Sequence, residues 1–362
     1  MNALKTIGWG LYLACSWTWC IGMFLPIVLI DRYGWAGFYM FAVPNIIGCT
    51  AFGYVLRTPE RSKAIVEKYR GALSSFAVIT IAFHAFFLAI VARYFIPDIP
   101  SWWMVALPAL VVLTSAVISV LPNRLWPILA TALWLLSVGI GFSFWPGALD
   151  LEATQTHPWQ EVVWLLPITS FGFFLCPYLD PTFHRALQSS PSKHSFGVFG
   201  LTFALMIGLT CLYRDALVAG LAVVILVHII SQAVFTVGVH LREGWLCEVK
   251  TRRVYFALGT VLACAIAIAV AHREHENIQA MADDYLRFFV FYGLVFPGLV
   301  AAFVWTKKRL TPLRIALFTL VAIVSLPLLE AGYIGGSAWL SVLPVVVFAT
   351  WAFADQCNSR ST

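Results

Sequence analysis

The chain has 362 residues, 61% hydrophobic and only 11% charged, with a mean hydropathy of +0.86. A soluble domain carries about 25% charged residues, so a water-facing surface over the whole molecule is excluded. The net charge of +6 has no basic face or nucleic-acid motif behind it. The Lys and Arg residues sort by loop instead, which argues against a nucleic-acid partner.

A bilayer crossing needs about 20 mainly apolar residues. Such runs fall near 6–30, 35–56, 72–96, 103–121, 124–145, 161–182, 196–213, 215–240, 254–272, 287–306, 312–329 and 332–354. They predict an all-α integral membrane protein of about 12 transmembrane helices. The first run continues from Lys5 to Ile30, so it reads as a retained span and not as a signal peptide. Leu13-Ala14-Cys15 follows too short an apolar stretch for a lipoprotein site. Its middle, Ser16-Trp17-Thr18-Trp19-Cys20-Ile21-Gly22-Met23, predicts a distortion, because its tryptophans lie too deep for an interfacial belt.

Between the second and third spans, residues 57–71 predict a surface helix capped by Thr58 with Pro59 in its first turn. His84 and Pro44-Asn45 are single polar features read as structural. In the sixth span, Cys176-Pro177-Tyr178-Leu179-Asp180-Pro181 places two prolines four residues apart, with Gly172 upstream. Proline removes a donor and clashes with the preceding turn, so a broken helix is expected. Asp180 then has two readings: a carboxylate that attracts a cation or proton, or one at a span end paired with His184, Arg185 or a backbone donor. In the eighth span, His228, Ser231, Gln232 and Thr236 share one helical face. That stripe either binds substrate or ion, or glues helices together. Residues 273–286 read as an acidic surface helix, and 146–160 as a loop free of Lys and Arg.

Five basic residues, Arg32, Arg93, Arg214, Arg273 and Arg287, fall on one side of these spans, and the other 18 of the 23 fall on the side of the N-terminus. The positive-inside rule then predicts both termini in the cytoplasm of a multi-pass inner (cell) membrane protein. Six of the eight cysteines lie in apolar runs, and Cys247 and Cys357 lie in segments assigned to the cytoplasm. They read as small buried side chains and not as a disulfide framework or metal knuckle. Glu274-His275-Glu276 lacks zinc-site spacing, and no nucleophile elbow, P-loop or Rossmann fingerprint occurs. No catalytic residue, resident cofactor or metal is therefore expected.

Two distorted helices five spans apart, one starting inside and one outside, match the arrangement of two inverted repeats of five helices. Gly22-Met23 through Tyr33-Gly34-Trp35, leading into a span that ends Tyr54-Val55-Leu56-Arg57, resembles the first helix pair of the sodium:solute symporter family. Gly172 to Tyr178, through Phe183-His184-Arg185-Ala186, looks like that family's sixth core helix. Phe235-Thr236 after Ser231-Gln232 is similar to the end of its eighth, where neighbouring hydroxyls help hold sodium. The chain departs from the pattern in three places. Cys176 stands where the family tends to have Gln. Thr182 stands where Arg is expected if Pro177 is aligned. Only Ser231 remains of a hydroxyl pair.

The resemblance implies a leucine-transporter-like 5+5 core: a first repeat at 1–145, including helix 57–71, a second at 146–310, and two C-terminal helices at 311–362. It implies a small-solute site at Trp17, Thr18, Trp19, Gly22, Phe174, Cys176 and Tyr178. Ion or proton coupling, by Na+ or H+, would use Asp180, His228, Ser231 and Gln232. The alternatives are a non-transporting sensor or scaffold with the same fold, and an integral membrane enzyme. Beyond the bilayer and an unidentified small solute, the sequence names no partner and no oligomeric state.

Overall fold

The computed structural model describes residues 2–96, 100–143, 157–211, 222–245, 249–273 and 278–360. Among them every regular element is helical. Nine helices are long and apolar enough to cross a membrane, and Trp103–Ser119 and Ser195–Thr210 are shorter apolar helices. The protein is an all-α, multi-pass membrane protein, and each of the twelve predicted runs is mainly helical over its described residues.

Helix α1 (Asn2–Trp17) is followed, after two non-helical residues, by α2 (Cys20–Leu56). Gly34 divides α2 with φ of 65°, a conformation that a side chain would strain. Helix α3 (Pro59–Lys68) is the predicted surface helix, and the Thr58 hydroxyl accepts from the Arg61 amide at its N-terminus. There the Glu60 carboxylate is held below the usual carboxylate range by its own backbone amide and by Thr58.

The spans α4 (Arg70–Tyr94), α5 (Trp103–Ser119) and α6 (Trp126–Ser143) follow. Next come α7 (Trp159–Tyr178), the short α8 (Pro181–Ser189), α9 (Ser195–Thr210), α10 (Ala222–Trp245) and α11 (Lys250–Ala271). The last three are α12 (Gln279–Trp305), α13 (Pro312–Ile334) and α14 (Ala338–Cys357).

Burial separates a core from a periphery. In α4, apolar on all sides, 83% of the most hydrophobic stretch is covered by protein, against 22–28% in α11, α13 and α14. Helix α1 packs against α6, α8, α9 and α10, so its broken end sits inside the bundle.

Two boundaries differ from the sequence reading. The predicted surface helix 273–286 is, from Ile278 onward, the start of the tenth span, because its acids find ion-pair partners: Asp283 with Arg32, and Asp284 with Arg287. The division between the last two spans falls after Ile334 and not near residue 330, since π-helical turns at Glu330–Ile334 carry the helix through. The tripeptide Glu274-His275-Glu276, most of loop 146–160, Arg214 and Cys247 lie outside the described residues.

Candidate functional site between two helix breaks

The first break is at Thr18-Trp19, where the backbone leaves the helix and Trp19 is extended at φ −74°, ψ −178°. Breaking a helix frees carbonyls that must be satisfied inside the membrane. Side chains do this here. Cys15 O accepts from the Gln232 amide and, at 3.3 Å, from the Thr236 hydroxyl of α10. Ser16 O accepts from the Trp19 indole. Two carbonyls beside the break are bonded as well: Ala14 O, which keeps the Thr18 amide at 2.9 Å, accepts from Thr18 Oγ1 at 2.7 Å, and Cys20 O, in the first turn of α2, accepts from the Tyr285 hydroxyl at 3.0 Å.

The second break is made by proline, as expected. Helix α7 tightens into a 3-10 turn at Cys176–Tyr178, and α8 starts afresh at Pro181. Asp180 caps α8: its Oδ1 accepts from the Thr182 amide and hydroxyl, each at 2.7 Å. The other oxygen, Oδ2, is buried without a hydrogen-bond partner. Of the two sequence readings of Asp180, the backbone partner is present, yet the residue is fully enclosed and half its carboxylate is uncommitted. Arg185 does not reach it and instead holds Glu243 of α10 in a bidentate pair at 2.8 and 2.9 Å, which Arg242 shares.

The two breaks touch. Ser16 Oγ lies 3.2 Å from Thr182 Oγ1, and the rings of Trp17 and Phe183 meet edge to face at 4.9 Å. A cavity of about 10 Å³ beside them is lined by Trp17, Trp19, Ile21, Asn45, Phe173, Cys176 and Tyr292. Trp17 Nε1 donates to Asn45 Oδ1 at 2.7 Å, and Cys176 Sγ to Tyr292 O at 3.1 Å. Gly172 lets α7 reach that backbone: a methyl group there would sit 2.8 Å from Tyr292 O.

The predicted site residues divide accordingly. Trp17, Trp19 and Cys176 line the cavity. Thr18 is buried with its hydroxyl on Ala14 O and 3.6 Å from Met206 Sδ. Gly22 faces α9, where Thr210 donates to its carbonyl. Phe174 turns outward, 40% exposed, and its neighbour Phe173 takes the inward position. Tyr178 packs on Phe52, on the far side of the 3-10 turn.

In the eighth span Gln232 reaches the first break, while His228 meets Ser137 of α6 at 2.6 Å. Ser231 is off the stripe, half-buried, and bonds back to Val227 O at 2.6 Å. The buried stripe is instead His228, Gln232, Thr236 and His240, spaced every four residues. His240, missed in the sequence, packs 5.9 Å from the Trp19 ring, and neither ring nitrogen has a partner. The repeat of four would have found it. Asn45 is a single polar feature that reads as structural in the sequence, and Tyr292 carries no sequence signal, because a lone Asn and one Tyr among many cannot be assigned to a shared cavity by periodicity.

The two ends of the molecule differ. At the end carrying α3, a cleft of about 770 Å³ runs between α3, α4, α8, α10 and α11 and reaches Pro181, His184, Arg185 and Glu243. Toward the other end, Phe24 packs on Tyr285 and Phe87, and the cavity there is about 20 Å³. Beyond it Arg32 pairs with Asp283. Among the described residues no three His, Cys, Asp or Glu side chains form a group that could hold a metal ion.

No family model matches the chain, and no curated protein matches it. Among solved structures, it is similar to the manganese transporter of Eremococcus coleocola in complex with an aromatic bis-isothiourea substituted compound. The match covers 98% of this chain and 95% of that one, at 13% identity and a TM-score of 0.58. At that identity the likeness shows a shared fold. A mutant of the same transporter matches at 13% identity and a TM-score of 0.48, over 99% of this chain and 94% of that one. The sodium:solute symporter resemblance rests on the sequence stretches alone.

Proposed function

We propose that the protein is a non-enzymatic secondary transporter that moves a small solute through the crossing of its two helix breaks. The observation that carries this reading is the contact of the breaks, Ser16 against Thr182, with an uncommitted carboxylate oxygen on Asp180 beside it. Broken helices at membrane depth, paired in this way, suit a binding site that opens alternately to each side. A wide cleft at one end and tight packing at the other support a state open to the end that carries α3. With the basic residues cytoplasmic, that end faces inward, both termini are inside, and the membrane is the cell (inner) membrane. The halves 1–145 and 146–310 then act as the two repeats, with 311–362 as an appended pair.

Trp17, Trp19, Asn45 and Cys176 contact the solute. Coupling uses Na+ held near Cys15 O by Gln232 and Thr236, or a proton on Asp180. Uptake into proteoliposomes under an imposed Na+ or H+ gradient tests this, with a panel of organic solutes and Mn2+. The Mn2+ arm is included because the protein that shares the fold is a manganese transporter. Gradient-driven accumulation of one solute, abolished in a folded Asp180→Asn variant, is the expected result. No accumulation under either gradient overturns it.

A second reading, a non-transporting sensor or scaffold, is favoured by one observation: Trp17 and Trp19 fill the crossing and leave only about 10 Å³.

A further inference from the structure

Separated from the crossing by Phe289, which packs on Phe173 and Tyr292, a second cavity of about 280 Å³ lies between α7, α12 and α13. Its walls are apolar: Ile168, Phe289, Leu326 and Leu329 among them. Two π-helical segments flank it, Phe291–Val295 and Glu330–Ile334, a distortion frequent at functional sites. Gly293 leaves room in its wall, since a methyl group there meets its nearest neighbour, Ile168, at an ordinary 3.6 Å. Tyr333 lines the cavity and is 6% exposed, and its hydroxyl has no partner.

The cavity communicates with the bilayer. Leu326 both lines it and is 42% exposed on α13, next to the outward-facing Ile323 and Val324. At its mouth stand Arg287 and Glu330, paired at 2.7 Å with side chains 46% and 49% exposed. Asp284 holds the same guanidinium at 2.6 Å. Two carboxylates therefore share this guanidinium, and the exposed Glu330 stands beside a group that suits phosphate.

We propose that this cavity is a phospholipid site selective for a headgroup that carries both phosphate and ammonium, of the phosphatidylethanolamine type. One acyl chain enters past Leu326 and the Tyr333 hydroxyl donates to an ester carbonyl. The phosphate meets Arg287, and the ammonium meets Glu330. An anionic headgroup without the ammonium would meet the same carboxylate with no positive group to offer it. The site does not depend on the transport reading, and either can fail alone.

Native mass spectrometry of the full chain in detergent, titrated with dioleoyl-phosphatidylethanolamine or dioleoyl-phosphatidylglycerol, tests it. One ethanolamine lipid is expected to bind about three- to fivefold tighter than the glycerol lipid, the range of a partly exposed charge contact. Gly293→Leu, which fills the cavity, should abolish that binding. Glu330→Gln, at an exposed position, should keep one bound lipid and bring the two headgroups to parity. Equal affinity for both lipids in the native chain overturns the proposal. So does unchanged binding in Gly293→Leu or an undiminished preference in Glu330→Gln. If Gly293→Leu fails to fold, the Glu330→Gln comparison decides alone.

Discussion

The two helix breaks solve the same problem by different means. At Thr18-Trp19 the sequence contains no proline, and the freed carbonyls of Cys15 and Ser16 are satisfied by side chains, the first from a distant helix: Gln232 and Thr236 of α10, and the Trp19 indole. At Cys176–Pro181 the break is written locally, in two prolines and an aspartate that caps the helix it starts. The first break is therefore a product of tertiary packing, and the second would form wherever that segment was placed. A break held from outside can be changed by moving its holders. One made by proline is fixed. In the alternating-access cycle that the proposed function implies, α1 would be the adjustable part and α7–α8 the rigid part.

The largest expected effect comes from removing what holds the first break. Trp19 is 2% exposed, and its ring meets Trp17, Phe76, His240 and Tyr292 at 4.5 to 5.9 Å. Trp19→Ala empties that position and leaves Ser16 O without its indole donor, a loss of about 3–5 kcal/mol by analogy with other buried tryptophans. Thermal unfolding of the purified chain should place its melting temperature below those of Asp180→Ala, Asp180→Asn and Thr58→Ala. A melting temperature close to wild type would mean that the break does not depend on its aromatic packing, and the contrast with the second break would collapse.

Asp180 sharpens the comparison. Asp180→Ala removes a cap and strands the Thr182 amide in a buried setting, at a cost of about 1–2 kcal/mol. Asp180→Asn keeps an oxygen for the amide and should recover most of that stability while still failing to transport. Equal destabilisation by Ala and Asn would show that the charge, and not the cap, supports the second break.

This contrast also explains how much was legible beforehand. Most spans, the surface helix with its Thr58 cap and the proline break at 176–181 depend on local composition, and these lie where the sequence places them. The distortion at 16–23 could be anticipated from misplaced polar and aromatic residues, but its partners could not. Asn45, Tyr292 and His240 reach Trp17 or Trp19 only through the packing of separate helices. Phe174 and Ser231 each lie one position off the inward face: in a helix the next residue is rotated by about 100°, so Phe173 takes the inward position beside Phe174, and of the predicted pair Ser231-Gln232 only Gln232 points inward. The boundaries at 273–286 and near residue 330 shifted because ion pairs and π turns let polar residues continue a helix that hydropathy alone would end.

The smallest effect isolates the cap itself. Thr58 performs for α3 the role that Asp180 performs for α8, but near water and with a weaker bond, 3.4 Å to the Arg61 amide against 2.7 Å. Water can replace the hydroxyl once it is removed, so Thr58→Ala should cost about 0.5 kcal/mol, the low end for such caps. Helix α3 is also tied down elsewhere. The Ser62 hydroxyl lies 2.9 Å from His184 Nδ1, and Tyr69, just beyond its end, donates to Phe303 O at 2.8 Å. Global melting should therefore barely move, and the loss should appear as faster hydrogen exchange in the first turn of α3 alone. If the whole of α3 exchanges faster, the cap and not the His184 contact is what docks this helix onto α8.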